Sequence, residues 1–239
     1  RWATLAIALP GADEAWLEKF SAGFFALAQQ HRVELVGGDT TRGPLNLSVT
    51  ILGEVPAPQA LRRSGAQIGD EIWVSGALGD AALALAHLQG HLVLNEAELA
   101  RCVMALHQPQ PRVALGLALR GIANSAIDIS DGLLADLGHI LDASQVGAQL
   151  DFAALPVSST LLGYMQQPLG RQCALAGGDD YELCFTAPAT RHAEVLRLAA
   201  QLDLPLTRIG KIVAGRGCIV HDAAGNPLNF ETGGYDHFR

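Results

Sequence analysis

The chain has 239 residues, 49% of them hydrophobic, and a formal net charge of −8 at pH 7. That length suits one large or two ordinary domains with a sizeable core, and the acidic balance argues against a nucleic-acid surface, leaving phosphates as partners only where cations supply positive charge. No apolar run approaches the roughly 18–20 residues of a membrane span, and the four cysteines, Cys102, Cys173, Cys184 and Cys218, form no C-x-x-C pair, which weakens zinc and thioredoxin-type readings and fits free thiols in a reducing cytoplasm.

Residues 2–9 read as a buried strand ended by Pro10 and Gly11. Asp13 is placed to cap a helix running to about Gln30, with Trp16, Phe20, Phe24 and Leu27 at helical spacing. A short strand at 34–36 would deliver Asp39 to a turn, and 46–55 reads as another strand, so the first unit runs strand, helix, strand, strand. The proline-rich stretch 56–58 is the linker candidate.

Beyond it, 71–75 reads as a strand, and Gly79-Asp80 opens a helix rich in alanine and leucine. Helices are expected over 96–106 and 112–122, a short strand over 126–129 and a helix over 131–143. Further strands are expected at 148–152, 181–186, 207–213 and 218–221, and helices near 159–165 and 190–201. The class is α/β or α+β, without low-complexity segments or tandem repeats.

Three acidic turns recur: "LVGGDTTRG" at 35–43, "AIDISDGLLADL" at 126–137 and "LAGGDDYELCF" at 175–185. In the second, strand alternation puts Asp128 and Ser130 on one face, with Asp131 following at the turn. Ser130 or Asp131 can cap the next helix. Capping does not account for Asp128 inside an apolar strand, where a carboxylate is costly unless paired or metal-bound. Two carboxylates about 4 Å apart repel by roughly 4 kcal/mol at an effective dielectric near 20, and a divalent cation removes that repulsion. Oxygen ligands without histidine suit magnesium better than zinc.

In the first turn the glycines allow positive φ and close approach to a phosphate, and Asp39 could meet the metal that accompanies it; the competing reading is an ordinary turn between strands. In the third, Asp179, Asp180 and Glu182 exceed what a turn requires and could hold a cationic group or a further metal. Arg63 is a candidate phosphate clamp, against the alternative of a solvated surface arginine. His139 reads as packing or surface. The P-loop, kinase catalytic-loop and dinucleotide signatures are absent, so any ATP site is of another type.

At "VGGDTTRGPL", "LRRSGAQIGD", "NSAIDISDGLLADLGHI", "GGDDYELCFT" and the terminal "GGYDHF" the sequence resembles the thiamine-monophosphate kinase family. That family lies in a superfamily with aminoimidazole ribonucleotide synthetase, selenophosphate synthetase and a hydrogenase-maturation protein. The resemblance spans essentially the whole chain. It implies an α/β (α+β) fold of two domains: 1–57, the remainder of an N-terminal half-barrel that binds ATP and dimerises, here incomplete, and 58–239, a C-terminal synthetase-like α/β sandwich. It implies ATP-dependent conversion of thiamine monophosphate to thiamine diphosphate with Mg2+, by direct in-line transfer, in a cytoplasmic homodimer.

By motif, Gly38, Asp39, Arg63 and Ser130 would contact ATP, and Asp39, Asp128 and Asp131 would bind magnesium. Asp179, where the family often has Glu, and Tyr235 would contact thiamine monophosphate. No residue is assigned as a catalytic acid or base, because the acceptor phosphate is largely ionised near neutral pH, its second pKa being about 6. The family's N-terminal segment, with its Gly-Asp-Asp and Thr-Asp metal ligands, is not in the chain, and the sequence opens at Arg1 directly on a strand-like run. The parent protein is therefore expected to continue upstream, and this chain alone to be weak or inactive. The alternatives are another ATP-using enzyme of the superfamily or a non-catalytic nucleotide-binding module.

Overall fold

The structure, a computed structural model, describes residues 1–228, which form two compact units, Arg1–Ala60 and a second beginning at Leu61.

The first unit holds β1 (Trp2–Leu9), α1 (Glu14–Gln30), β2 (Glu34–Arg42) and β3 (Asn46–Leu52), in the sheet order β2-β1-β3. β1 runs parallel to β2, which requires a crossover, and α1 supplies it. Asp13 caps α1 by accepting the Trp16 N–H at 3.1 Å. Trp16, Phe20 and Phe24 stack along the helix with ring centroids 5.2 and 5.9 Å apart. None of the α1 residues is buried, and β2 and β3 are exposed throughout.

One expectation is corrected here. The strand assigned to 34–36 extends to Arg42, so Asp39 lies within a strand opposite Ala6 and not in a turn. The pairing register with β1 shifts between Ala3 and Thr4, and the double glycine follows that irregularity. A Cβ at Gly38, where φ is +148°, would lie 1.9 Å from the Leu5 carbonyl oxygen. Close strand packing alone therefore demands this glycine.

The second unit is built on a seven-stranded sheet, in the order β10-β9-β6-β8-β4-β7-β5. Its strands are β4 (Asp70–Ser75), β5 (Ser125–Ile129), β6 (Gly147–Asp151), β7 (Glu182–Pro188), β8 (Leu206–Val213), β9 (Gly217–His221) and β10 (Pro227–Leu228). Its helices are α2 (Asp80–Leu88), α3 (Glu96–His107), α4 (Val113–Ala118), α5 (Leu133–Ser144), α6 (Ser159–Leu162), α7 (Pro168–Ala176) and α8 (His192–Leu202). Alternation along β4 feeds two cores. Ile72 and Val74 pack with Ile127, Ile129, Leu137, Ile140 and Ile212, whereas Trp73 packs with Phe185, Leu115, Leu119 and Val195. Helices thus cover both faces, as an α/β sandwich requires.

Two helices differ from the sequence reading. The segment expected to be helical over 112–122 is helical only over Val113–Ala118, and α7 was not anticipated. Pro168 at the first helical position was the signal for α7.

Candidate active site

β7 runs antiparallel to both β4 and β5, which places its first residues beside the last residues of those two strands. Glu182 pairs with Ile129, and Cys184 with Val74. One end of the sheet therefore gathers the "DISDG" turn after β5, the "GGDDYE" turn before β7, and the starts of α2 and α5. Two amide bonds tie the turns together: Asp179 N–H donates to the Ser130 carbonyl at 2.9 Å, and Tyr181 N–H to the Ile129 carbonyl at 2.8 Å.

Within the "DISDG" turn the burial reading needs correction. Asp128 does not sink into the strand's apolar face; it is exposed, between buried Ile127 and Ile129. Ser130 and Asp131 are partly buried. Neither of them caps α5. The N-cap position is Gly132, without a side-chain bond, and Asp136, one turn into the helix, reaches back to the amides of the preceding turn. Its Oδ2 accepts the N–H groups of Ser130, Asp131 and Gly132 at 2.9, 3.0 and 3.2 Å. Burial raises the Asp136 pKa, the turn amides oppose the rise, and the nearby charges of Asp131 and Asp128 add to it. Gly132, at φ +117°, leaves no room for a side chain, since a Cβ would lie 2.7 Å from the Ala176 carbonyl carbon.

The four residues 179–182 divide their roles. Asp180 turns onto the start of α2, where both its oxygens accept the Gly79 N–H at 2.9 and 3.0 Å. Desolvation holds its pKa well above the usual carboxylate value. Glu182 is buried and committed: Arg112 Nε donates to Oε2 at 2.7 Å, Arg112 Nη2 donates to Oε1, and Ser75 Oγ donates to Oε2 at 2.5 Å. The expectation that Asp180 and Glu182 face a cationic ligand or a further metal is thereby overturned. Asp179 and Tyr181 remain, with the Tyr181 hydroxyl 3.4 Å from Asp179 Oδ1. Burial first, then the charges of Asp179, Asp128 and Asp131, push the Tyr181 hydroxyl's pKa up.

Arg63 is exposed, and its side chain has no hydrogen-bond or ion-pair partner among the described residues. Its carbonyl accepts from Ser144 Oγ at 3.2 Å, and the Arg62 carbonyl accepts the Ala126 N–H at 3.0 Å. These bonds hold the arginine loop along the free edge of β5. In the first unit, Asp39 is exposed and accepts its neighbour Thr40's N–H at 2.9 Å. Tyr235 lies outside the described residues.

The donor set fits a hard cation. Asp128 and Asp131 are oxygen donors with no hydrogen-bond or ion-pair partner for their carboxylates among the described residues. Among the described residues, no group of three or more Asp, Glu, His or Cys side chains forms a ready-made cage. Magnesium suits such a site, since it is commonly held by one or two carboxylates with substrate phosphates and waters completing the shell. Sequence reasoning found Asp39, Asp128, Asp131 and Asp179 by motif but missed Asp136, Arg112 and Tyr181. The Asp-Tyr-Glu run did carry a signal for Tyr181, an aromatic set between acids.

Comparison with known proteins places this arrangement. The family model for the AIR synthase related protein, N-terminal domain, matches residues 1–55, and that for its C-terminal domain matches residues 67–223. The thiamine-monophosphate kinase of Escherichia coli K12 is 47% identical over 240 residues, covering 99% of this chain and 73% of the relative. The crystal structure of thiamine-monophosphate kinase from Stenotrophomonas maltophilia K279a aligns with a TM-score of 0.87 at 53% identity, over 95% of this chain and 72% of the other. AaThiL complexed with AMPPCP and TMP aligns with a TM-score of 0.83 at 30% identity, over 100% of this chain and 74% of the other.

Proposed function

The chain belongs to the thiamine-monophosphate kinase family, and we infer that it catalyses ATP-dependent phosphorylation of thiamine monophosphate to thiamine diphosphate. The observation that carries the reading at the level of residues is the joining of the 128–131 and 179–181 turns at one end of the sheet. In the reaction an oxygen of the acceptor phosphate attacks the γ-phosphorus of ATP, the bond from that phosphorus to the bridging oxygen breaks, and ADP leaves. The nucleophile needs no general base, because the acceptor's second phosphate pKa is about 6. Catalysis then rests on positioning and charge neutralisation.

The roles assigned to individual side chains are our proposal. Asp128 and Asp131 would hold Mg2+, and Asp39 is proposed as a further ligand from the first unit; bound magnesium would offset the charge of the ATP phosphates. Arg63, exposed and without a partner among the described residues, offers its guanidinium fork to phosphate oxygens, with Gly38 and Ser130 as further ATP contacts. Asp179 answers the positive thiazolium ring of the acceptor, and Tyr235 is proposed as its aromatic partner. Residues 1–57 would contribute to ATP binding and dimerisation, and 58–239 the synthetase-like domain.

A homodimer is proposed from the first unit's surface. Val49 and Ile51, on one face of β3, are 45% and 62% exposed, and Phe25 of α1 is 51% exposed. Apolar strand faces of this kind mark association surfaces, and sedimentation of the purified chain measures the state directly. No described helix is long and apolar enough to cross a membrane. A cytoplasmic location is proposed from the buried free thiols Cys102, Cys173 and Cys184. Incubation with ATP, magnesium and thiamine monophosphate, followed by chromatography of the thiamine esters, tests the reaction. Thiamine diphosphate formed in step with ADP supports it, and ADP released with no diphosphate sinks it.

A further inference from the structure

Tyr181 is 42% exposed and has no part in the transfer described above. Its backbone is held where side-chain-bearing residues are uncommon: φ is +51° at Tyr181 and +68° at Asp179. The hydrogen bonds to Ser130 and Ile129 fix these two residues against the end of β5. Asp180 is engaged by Gly79, and Glu182 by Arg112 and Ser75, so the turn is anchored through alternate residues. What it leaves available is a carboxylate and an electron-rich ring, side by side.

We propose that Tyr181 is a specificity-determining residue that offers its ring face to the thiazolium cation of the acceptor, with Asp179 supplying the countercharge. An aromatic face near a cation contributes attraction that an aliphatic side chain of similar bulk does not. Asp179, whose Oδ1 lies 3.4 Å from the Tyr181 hydroxyl, makes that position hospitable to an organic cation. This proposal rests on the assignment of Asp179 to the acceptor, made under the proposed function.

The test is calorimetric binding of thiamine monophosphate, beside turnover, for the parent chain and for Tyr181→Phe, Tyr181→Trp and Tyr181→Leu, each with its melting temperature. Phe and Trp are expected to keep the parent Kd within about twofold, while Leu weakens it about tenfold, with the Kd for ATP unchanged in all. Three routes overturn the proposal: equal affinity in every variant, a loss in Phe equal to that in Leu, or a matching loss toward ATP in Leu. A parent that binds thiamine monophosphate but forms no diphosphate defeats the assigned reaction and leaves the binding comparison standing.

Discussion

Arg112 and Glu182 meet as a two-point fork across 70 positions of sequence, with Arg112 Nε 2.7 Å from Glu182 Oε2. Ser75 joins them, donating to the same carboxylate and accepting the Leu183 N–H at 2.9 Å. The side chains are 24% and 7% exposed, and the hydrogen bond to Glu182 is the main cause of the raised Arg112 pKa. Removing one partner strands a buried charge. Arg112→Ala should destabilise the protein by about 3–5 kcal/mol, whereas Arg112→Met with Glu182→Leu should recover most of that loss. Urea denaturation of the single and double variants decides, and a double variant no better than the single one counts against this account.

Asp136 should matter for the turn as well as for the helix. Asp136→Ala leaves the Ser130, Asp131 and Gly132 amides without their acceptor and should cost about 1–3 kcal/mol. Because the turn carries Asp128 and Asp131, the variant should also need more magnesium for half-maximal activity. Chemical denaturation and a magnesium titration read the two effects, and an unchanged titration removes the link between them.

Asp128 offers a cleaner probe because it is exposed. Asp128→Asn should lower kcat by about a hundredfold or more while the melting temperature stays within a few degrees. A variant with parental turnover would disprove the metal assignment.

Asp180 should give stability a definite pH slope. Its folded-state pKa lies well above 3.8, chiefly through desolvation. The folded protein therefore holds this proton more tightly than the unfolded chain does. The stabilisation is fully present below about pH 4 and is lost as pH rises through the raised value. Asp80 has the same sign and the same leading cause. Asp180→Asn keeps an acceptor for the Gly79 N–H without a charge to desolvate, so it should gain on the parent as pH rises from 4 to 8. Calorimetric melting across that range would expose the opposite trend if the reasoning fails.

Much of the architecture could be read from local pattern. Alternation and capping found β1 and α1, since Asp13 and the Trp16, Phe20 and Phe24 spacing act within a single helix. The double glycine misled because a glycine pair serves a turn and an irregular strand equally well, and only pairing with Leu5 separates them. The acids Asp128, Asp131 and Asp179 carried motif signals. Their supports did not: Asp136 reaches back to three amides, and Glu182 finds Arg112 from a distant segment. Such pairings arise from the tertiary fold and leave little trace in neighbouring residues.

The three-amide grip of Asp136 has a consequence for nucleotide chemistry. In glycine-rich nucleotide loops, free main-chain N–H groups at a helix start cradle the anion directly. Here the corresponding groups ahead of α5 already have an internal carboxylate as their guest. A triphosphate approaching this turn meets three amides that are already occupied, beside the carboxylates of Asp128 and Asp131. At this turn the charge of a bound phosphate would have to be met by cations or arginine rather than by these three amides.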